Sequence, residues 1–277
     1  GNDVDSLSEP RPIAHDRSLP DLFSAAAAFN MYRGYERMRV LGRGQHSVAV
    51  LLRCPQTGVL VVSKQVPIEG ISATDLGVLE NEVHLLRSLH HPHIVSYLAA
   101  YQHGSMLCIM LEYAGGGTLA TAIQDASAKG RRFESADICR WMTQVGSAVQ
   151  YMHRRAVLHR DLSTKNIFLS EGRDAILGDL GLSKALAVSH GELATTLCGT
   201  PYYLSPELLS GQPYGKPADV WALGVVLHEL LTLQRPFAAS NIFELQTRVR
   251  ESKFTDSGAL GRCGHPPYLC WFATGVA

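Results

Sequence analysis

What most limits the fold of this chain is the point at which one periodicity gives way to another. Up to about residue 113 it reads as short strands: Tyr35 to Leu41, Val48 to Leu52, Val59 to Lys64, Ile94 to Ala100 and Met106 to Leu111. Beyond Thr118 helical spacing dominates, over Thr118 to Lys129, Ser135 to Arg154, the apolar run from Asp219, and Asn241 to Arg250. A single helical pattern, Asp75 to Leu89, interrupts the strands, with Leu76, Leu79, Val83, Leu86 and Leu89 on one stripe. In a doubly wound α/β fold, strands and helices would alternate throughout. The segregation predicts an α+β chain, an antiparallel sheet followed by a mainly helical part, with the break near residue 114. At the break, Glu112-Tyr113-Ala114-Gly115-Gly116-Gly117 reads as a flexible connector. Ser135 is the expected N-cap of its helix, with Asp137 near the positive end of the dipole.

Composition narrows the partners. Lys plus Arg and Asp plus Glu both number 25, so charge points to neither nucleic acid nor an anionic membrane surface. No apolar run is long enough to span a bilayer; the most apolar stretch, Ala222 to Leu233, contains His228 and Glu229. Six cysteines are scattered without a Cys-x-x-Cys pair, the usage of a reduced, cytoplasmic protein. Cys263, His265 and Cys270 are three potential ligands without a fourth, and the His90, His91 and His93 group reads as a solvated loop rather than a metal site. Residues 1–31, rich in Asp, Ser and Pro, read as a flexible leader.

The chemistry concentrates in His159-Arg160-Asp161-Leu162-Ser163-Thr164-Lys165-Asn166. Thirteen residues after Asn166 comes a second acid in a tight turn, Asp179-Leu180-Gly181. Upstream, a strand runs into Gly42-Arg43-Gly44-Gln45-His46-Ser47 and a second strand follows. A hairpin of this kind can lay backbone N–H groups over phosphates, although a lone Gly-x-Gly is a weak signal. The strand from Val59 ends in Lys64. Downstream stand Gly199-Thr200-Pro201-Tyr202-Tyr203-Leu204-Ser205-Pro206-Glu207 and Asp219-Val220-Trp221.

In these motifs and their order, residues 35 to about 254 resemble eukaryotic protein kinases. Tyr35-Glu-Arg-Met-Arg-Val-Leu-Gly-Arg-Gly and Glu112-Tyr-Ala-Gly-Gly-Gly-Thr-Leu, with the Gly199-Thr-Pro segment, resemble the NIMA-related (Nek) Ser/Thr kinases. The resemblance implies a bilobal fold, with a small lobe over 35–113 and a large lobe over 114–254. It implies transfer of the ATP γ-phosphate to Ser or Thr of protein substrates, with Mg²⁺, and possible roles at centrosomes, cilia or microtubules. Asp161 would accept the hydroxyl proton, and Asn166 and Asp179 would hold Mg²⁺. Lys64 would contact the α- and β-phosphates. Glu80 and Glu82 both stand within the helix that would supply its partner, and the family register favours Glu82. Gly42, Gly44, Ala49, Val62 and Leu111 would surround the nucleotide, with main-chain groups around Glu112 and Ala114 on the adenine edge. A phosphate on Thr196, or alternatively Thr195, would pair with Arg160 and order the loop after Asp179. Thr200 would bond the catalytic loop, and Asp219 would hold that loop's backbone.

The chain departs from the family pattern at several positions. Ser47 replaces a Gly. Ala49 and Val62 invert the usual Val and Ala, a volume-conserving exchange around the adenine. Leu180 replaces Phe. Ser163 stands where Ser/Thr kinases carry Lys, and Lys165, two residues on, is expected to take over the neutralising role. Beyond about Gly261 the family helices stop, and no Arg partner for Glu207 is identifiable. The large lobe therefore reads as incomplete at its C-terminal end, with residues 255–277 an atypical tail and a partner as one way of completing it. The alternatives to an active kinase are a catalytically inactive kinase-fold scaffold and a fragment of a kinase.

Overall fold

The computed structural model describes residues 30–44, 47–179 and 201–253, and for Glu82 the backbone alone. The leader up to residue 29, Thr195, Thr196, Thr200, Leu180 and the tail from residue 254 lie outside the described residues. The described chain divides into two units. The first holds residues 30–90 and 95–113; the second holds 91–94, 114–179 and 201–253.

The first unit is a five-stranded antiparallel sheet, β1 (Glu36–Arg43), β2 (Val48–Arg53), β3 (Leu60–Pro67), β4 (Tyr97–His103) and β5 (Met106–Glu112), in the order β1-β2-β3-β5-β4. Helix α1 (Ala73–Ser88) packs against β4. Ser72 caps it: its hydroxyl accepts from the Asp75 N–H at 3.1 Å and donates to the Asp75 carboxylate at 2.6 Å. Leu79, Val83 and Leu86 of the predicted stripe are buried, and Glu80 faces solvent.

The sheet register divides the side chains between two faces. Ala49 pairs with Lys64 and Leu51 with Val62; Lys64 pairs in turn with Ile109 and Val62 with Leu111. Strand alternation puts all six on one face. The opposite face carries Leu52, Val61, Cys108 and Met110, which pack with Tyr32 and Tyr101. The Tyr32 ring stacks on Tyr101 with centroids 6.5 Å apart. The packed part of this unit thus already includes Tyr32, three residues before the first predicted strand.

One predicted strand is displaced. The sequence pattern ran it from Ile94 to Ala100, whereas β4 begins at Tyr97. Ile94 instead bridges Leu177 of the second unit and is buried there, while the Leu177 N–H donates to His93 O. An apolar run cannot reveal which of two strands its first residue will join.

In the second unit follow α2 (Leu119–Ala128), α3 (Ser135–Arg154), the short hairpin β6 (Ile167–Leu169) and β7 (Ala175–Leu177), then α4 (Pro206–Leu209), α5 (Lys216–Thr232) and α6 (Ile242–Arg250). Thr118 and Thr121 form a reciprocal capping box at α2. Ser135 is not the N-cap of α3. Glu134 occupies that position and caps with no side-chain bond, because Ser135 already has helical geometry. The buried face of α3 is Ile138, Trp141, Val145, Ala148, Val149 and Met152, the spacing of one helical stripe. Gln144 extends from α3 to fix β7, accepting from the Ala175 N–H at 2.8 Å and donating to Asp174 at 2.7 Å.

The glycine run read as a flexible connector is anchored in this unit. Gly116 N–H donates to Leu169 O, and Leu169 N–H donates to Gly117 O, both at 2.8 Å. A Cβ at Gly116 would meet Ser170 O at 2.3 Å, so the close approach of two backbones requires glycine there. Gly117, at φ 82°, adopts a left-handed conformation.

Candidate active site

In the sheet unit the regular ladder assembles the predicted nucleotide residues. Lys64 is 7% exposed, opposite Ala49 and Ile109. Ala49 and Val62 are diagonal neighbours across β2 and β3 on the same face, the relation a compensating exchange of volume needs. Leu111 lies beside Val62 on that face. Gly42 pairs with Ala49 next to a register shift in β1, and a Cβ there would meet nothing within 4 Å. Two N–H groups are already committed. Gly44 donates to Ser47 O at 2.7 Å, closing the turn, and Glu112 donates to Ser96 O at 3.0 Å. Gly44 therefore has no N–H left for a phosphate, and at Glu112 only the carbonyl remains a candidate for adenine. The side chain of Glu82 lies outside what is described.

In the helical unit the site is built from loops. Asn166 Nδ2 donates to Asp161 O at 2.7 Å and to Asp161 Oδ2 at 2.9 Å. Two acceptors fix the amide orientation and leave its carbonyl oxygen for another partner. Gly178 N–H donates to Asn166 O at 2.9 Å, which ties the turn before Asp179 to the same loop. His159 closes the other side. Its Nδ1 accepts from the Asp161 N–H at 3.2 Å, so Nε2 carries the proton and donates to Gly178 O at 3.1 Å. Burial lowers the pKa of this imidazole, against the opposing pull of Asp219, Asp161 and Asp179, and keeps it neutral.

Arg160 and Asp179 have left-handed backbone, with φ of 66° and 51°. For a long side chain such as Arg160 that conformation costs roughly 1–2 kcal/mol and needs enforcement. Asp219 provides it. Fully buried near the start of α5, it accepts from the N–H of His159 at 3.0 Å and of Arg160 at 3.2 Å. The Tyr214 hydroxyl donates to it at 2.6 Å, and His153 Nε2 lies 2.8 Å away. Burial, then the Asp219 charge, pushes the Tyr214 hydroxyl pKa well up, so it remains a donor. The loop-holding role expected of Asp219 is thus seen directly, and His153 and Tyr214 join it.

The two departures in the loop have different fates. Ser163 is buried, and its hydroxyl has no partner among the described residues. Lys165 is exposed; burial raises the pKa of Glu229, against the opposing pull of its Tyr203 and Thr164 hydrogen bonds and of the Arg235 and Lys165 charges. Between Ser163 and Lys165, Thr164 joins Tyr203 and Glu229 in a buried network that the sequence reading missed. Its one signal was an acid inside the apolar run Val225-Val226-Leu227-His228-Glu229-Leu230-Leu231. Arg160 is exposed beside Asp161, while Thr195 and Thr196 lie outside the described residues. Glu207 is half-buried and has no recorded ion-pair partner among the described residues.

As metal ligands, Asn166 and Asp179 offer hard oxygens. Among the described residues no group of three or more His, Cys, Asp or Glu side chains is arranged to hold a metal ion, around His90, His91 and His93 or elsewhere. Two oxygen ligands suit Mg²⁺, which keeps several waters and takes phosphate oxygens for the rest of its shell. No described helix is long and apolar enough to cross a membrane.

Residues 35–258 match the family described as the protein kinase domain. The chain is similar to serine/threonine-protein kinase Nek4 of Mus musculus, 37% identical over 220 residues, which is 79% of this chain and 27% of that protein. It is 38% identical over 221 residues to Nek8 of Danio rerio, covering 79% of this chain and 31% of the relative. It is 40% identical over 215 residues to Nek9 of Mus musculus, covering 78% and 22%. The chain thus spans less than a third of the length of these relatives.

Proposed function

Because this chain belongs to the protein kinase family, we propose that it transfers the γ-phosphate of ATP to Ser or Thr hydroxyls of proteins. Similarity to the Nek Ser/Thr kinases supports the hydroxyl specificity. The observation that carries the reading is the pair of hydrogen bonds from Asn166 to Asp161, made on a loop whose strained backbone Asp219 holds. Asp161 is the general base: oriented by Asn166, its carboxylate takes the proton as the substrate oxygen attacks. Asn166 and Asp179 would hold Mg²⁺, which would supply neutralisation of the phosphate charge. Lys64 is assigned to the α- and β-phosphates, and Ala49, Val62 and Leu111 to the adenine. Lys165 supplies a further positive charge on the catalytic loop, toward the γ-phosphate. Arg160 receives a phosphate carried by Thr196, or by Thr195, to switch the enzyme.

Transfer of radiolabelled phosphate from Mg·ATP to dephosphorylated casein tests the reading. The wild-type chain labels casein, and Asp161→Asn reduces labelling by 10²-fold or more, the scale of one general base. A Mg·ATP-dependent rise in melting temperature with no labelling would identify an inactive nucleotide-binding scaffold instead. Full turnover in Lys165→Ala would remove Lys165 from the set, and full activity in a Thr195→Ala/Thr196→Ala double variant would remove the switch.

A further inference from the structure

One edge of the five-stranded sheet is β1, which has a neighbour, β2, on one side alone. Seven of its eight residues are exposed, so the described chain leaves this edge uncovered. Two irregularities interrupt its ladder. Arg37 and Arg39 pair with the consecutive residues Leu52 and Leu51, and Val40 and Gly42 pair with Val50 and Ala49, so Met38 and Leu41 have no partner on β2. A bulge re-aims the extra side chain out of the regular pleat. Here both extra side chains are apolar and meet solvent, Met38 being 49% and Leu41 38% exposed. Arg37, Arg39 and Arg43 stand around them, exposed and without an ion pair among the described residues. Glu36, the one acid of the strand, is taken by Arg53 at 2.8 Å.

A row of like charges keeps an edge from pairing with a copy of itself. The segment it admits is an acidic one, because opposite charges side by side stabilise neighbouring strands. The leader contains such a segment with the same layout. Arg37-Met38-Arg39-Val40-Leu41-Gly42-Arg43 and Asp3-Val4-Asp5-Ser6-Leu7-Ser8-Glu9 match position by position: each arginine against an acid, Met38 against Val4, Leu41 against Leu7. One register thus answers all three charges and both bulged apolar residues. The leader is also tethered to the right unit. Asn30, where the described chain begins, is two residues from Tyr32, which stacks on Tyr101 of this sheet. Residues 10–36 connect the two segments, more than the dozen or so residues that a return in the same direction requires. We propose that residues 3–9 dock along the open edge of β1, in the same direction as the strand, with each acid beside its matching arginine. The leader is then an intramolecular cover for a cationic edge, a role independent of the kinase reading.

Disulfide trapping in the full chain tests this. Oxidised glutathione is added to two matched double variants, Val4→Cys/Met38→Cys and Leu7→Cys/Leu41→Cys, and to a crossed one, Val4→Cys/Leu41→Cys. Bridges are identified by mass spectrometry of digests made without reductant. Neighbouring strands lie within the Cα separation that a disulfide spans, and an offset of three residues does not. Both matched pairs are expected to close within one chain at least about tenfold faster than the crossed pair. Adding Asp3→Arg/Asp5→Arg/Glu9→Arg should slow matched closure about tenfold, the combined effect of three exposed ion pairs. Reversing the partners as well, with Arg37→Glu/Arg39→Glu/Arg43→Glu, should restore it. Should that last variant fail to fold, the leader-side reversal, which alters no residue of the sheet, still decides the question. Equal rates for matched and crossed pairs, or matched closure indifferent to the leader reversal, would overturn the proposal. Bridges formed only between chains would overturn it too, by giving the segment to a second copy.

Discussion

In the sheet unit, Ala49, Val62, Lys64 and Leu111 share a face because strands alternate their side chains and the ladder fixes the register. In the helical unit, Asp161, Asn166 and Asp179 lie in irregular chain, two of whose residues have left-handed backbone. The first arrangement follows from a repeating geometry that each residue shares. The second depends on a few buried polar groups from distant sequence, Asp219 above all. Candidate site residues on a ladder should thus tolerate repacking, while those on the loops should fail together when one buried anchor is removed.

Asp219→Ala breaks that contrast most severely. It leaves the N–H groups of His159 and Arg160 and the Tyr214 hydroxyl without their acceptor. Chemical denaturation should show a loss of about 3–5 kcal/mol, with activity lost under native conditions. A loss below about 1 kcal/mol would mean that the Arg160 conformation is held by something else.

A pH effect of intermediate size separates the units on another axis. His228 is buried in α5, its ring nitrogens have no partner among the described residues, and burial lowers its pKa to about 4. The unfolded chain takes up a proton there near pH 6.5, while the folded chain does not until about pH 4. Between those values the unfolded state binds more protons, so stability falls as pH falls and levels off below the lower value. His228→Leu should remove about 2–3 kcal/mol of the stability difference between pH 7 and pH 4, read from unfolding curves at each pH. An unchanged pH slope would show that His228 is solvated.

The smallest effect belongs to the ladder. Ala49→Val alone should raise the KM for ATP several-fold, while costing less than about 1.5 kcal/mol of stability. Adding Val62→Ala should restore it, because the two are diagonal neighbours on one face. Unchanged or tighter ATP binding in the single variant would show that the pocket has spare volume.

Much of this was legible beforehand. The strand-to-helix division near residue 114 and the stripe of α1 rest on local pattern, while the roles given to Lys64, Asp161 and Asn166 are expectations drawn from motif resemblance. The errors came where a local pattern met a tertiary contact. Ile94 left its strand to bridge Leu177. The Gly115–Gly117 run, expected to flex, is bound to β6 by hydrogen bonds no neighbour in sequence could announce. Ser135, a good cap by type, lies one residue inside its helix.

The amino-acid order by itself determined which residue types recur at which period, and therefore the kinds of element and the chemistry available to them. Only the tertiary structure decided which buried carboxylate holds which loop. Asp219 and Glu229 each satisfy donors from segments tens of residues away. Periodicity reports the side of an element a residue occupies. It cannot report the partner that a desolvated charge will require once water is excluded.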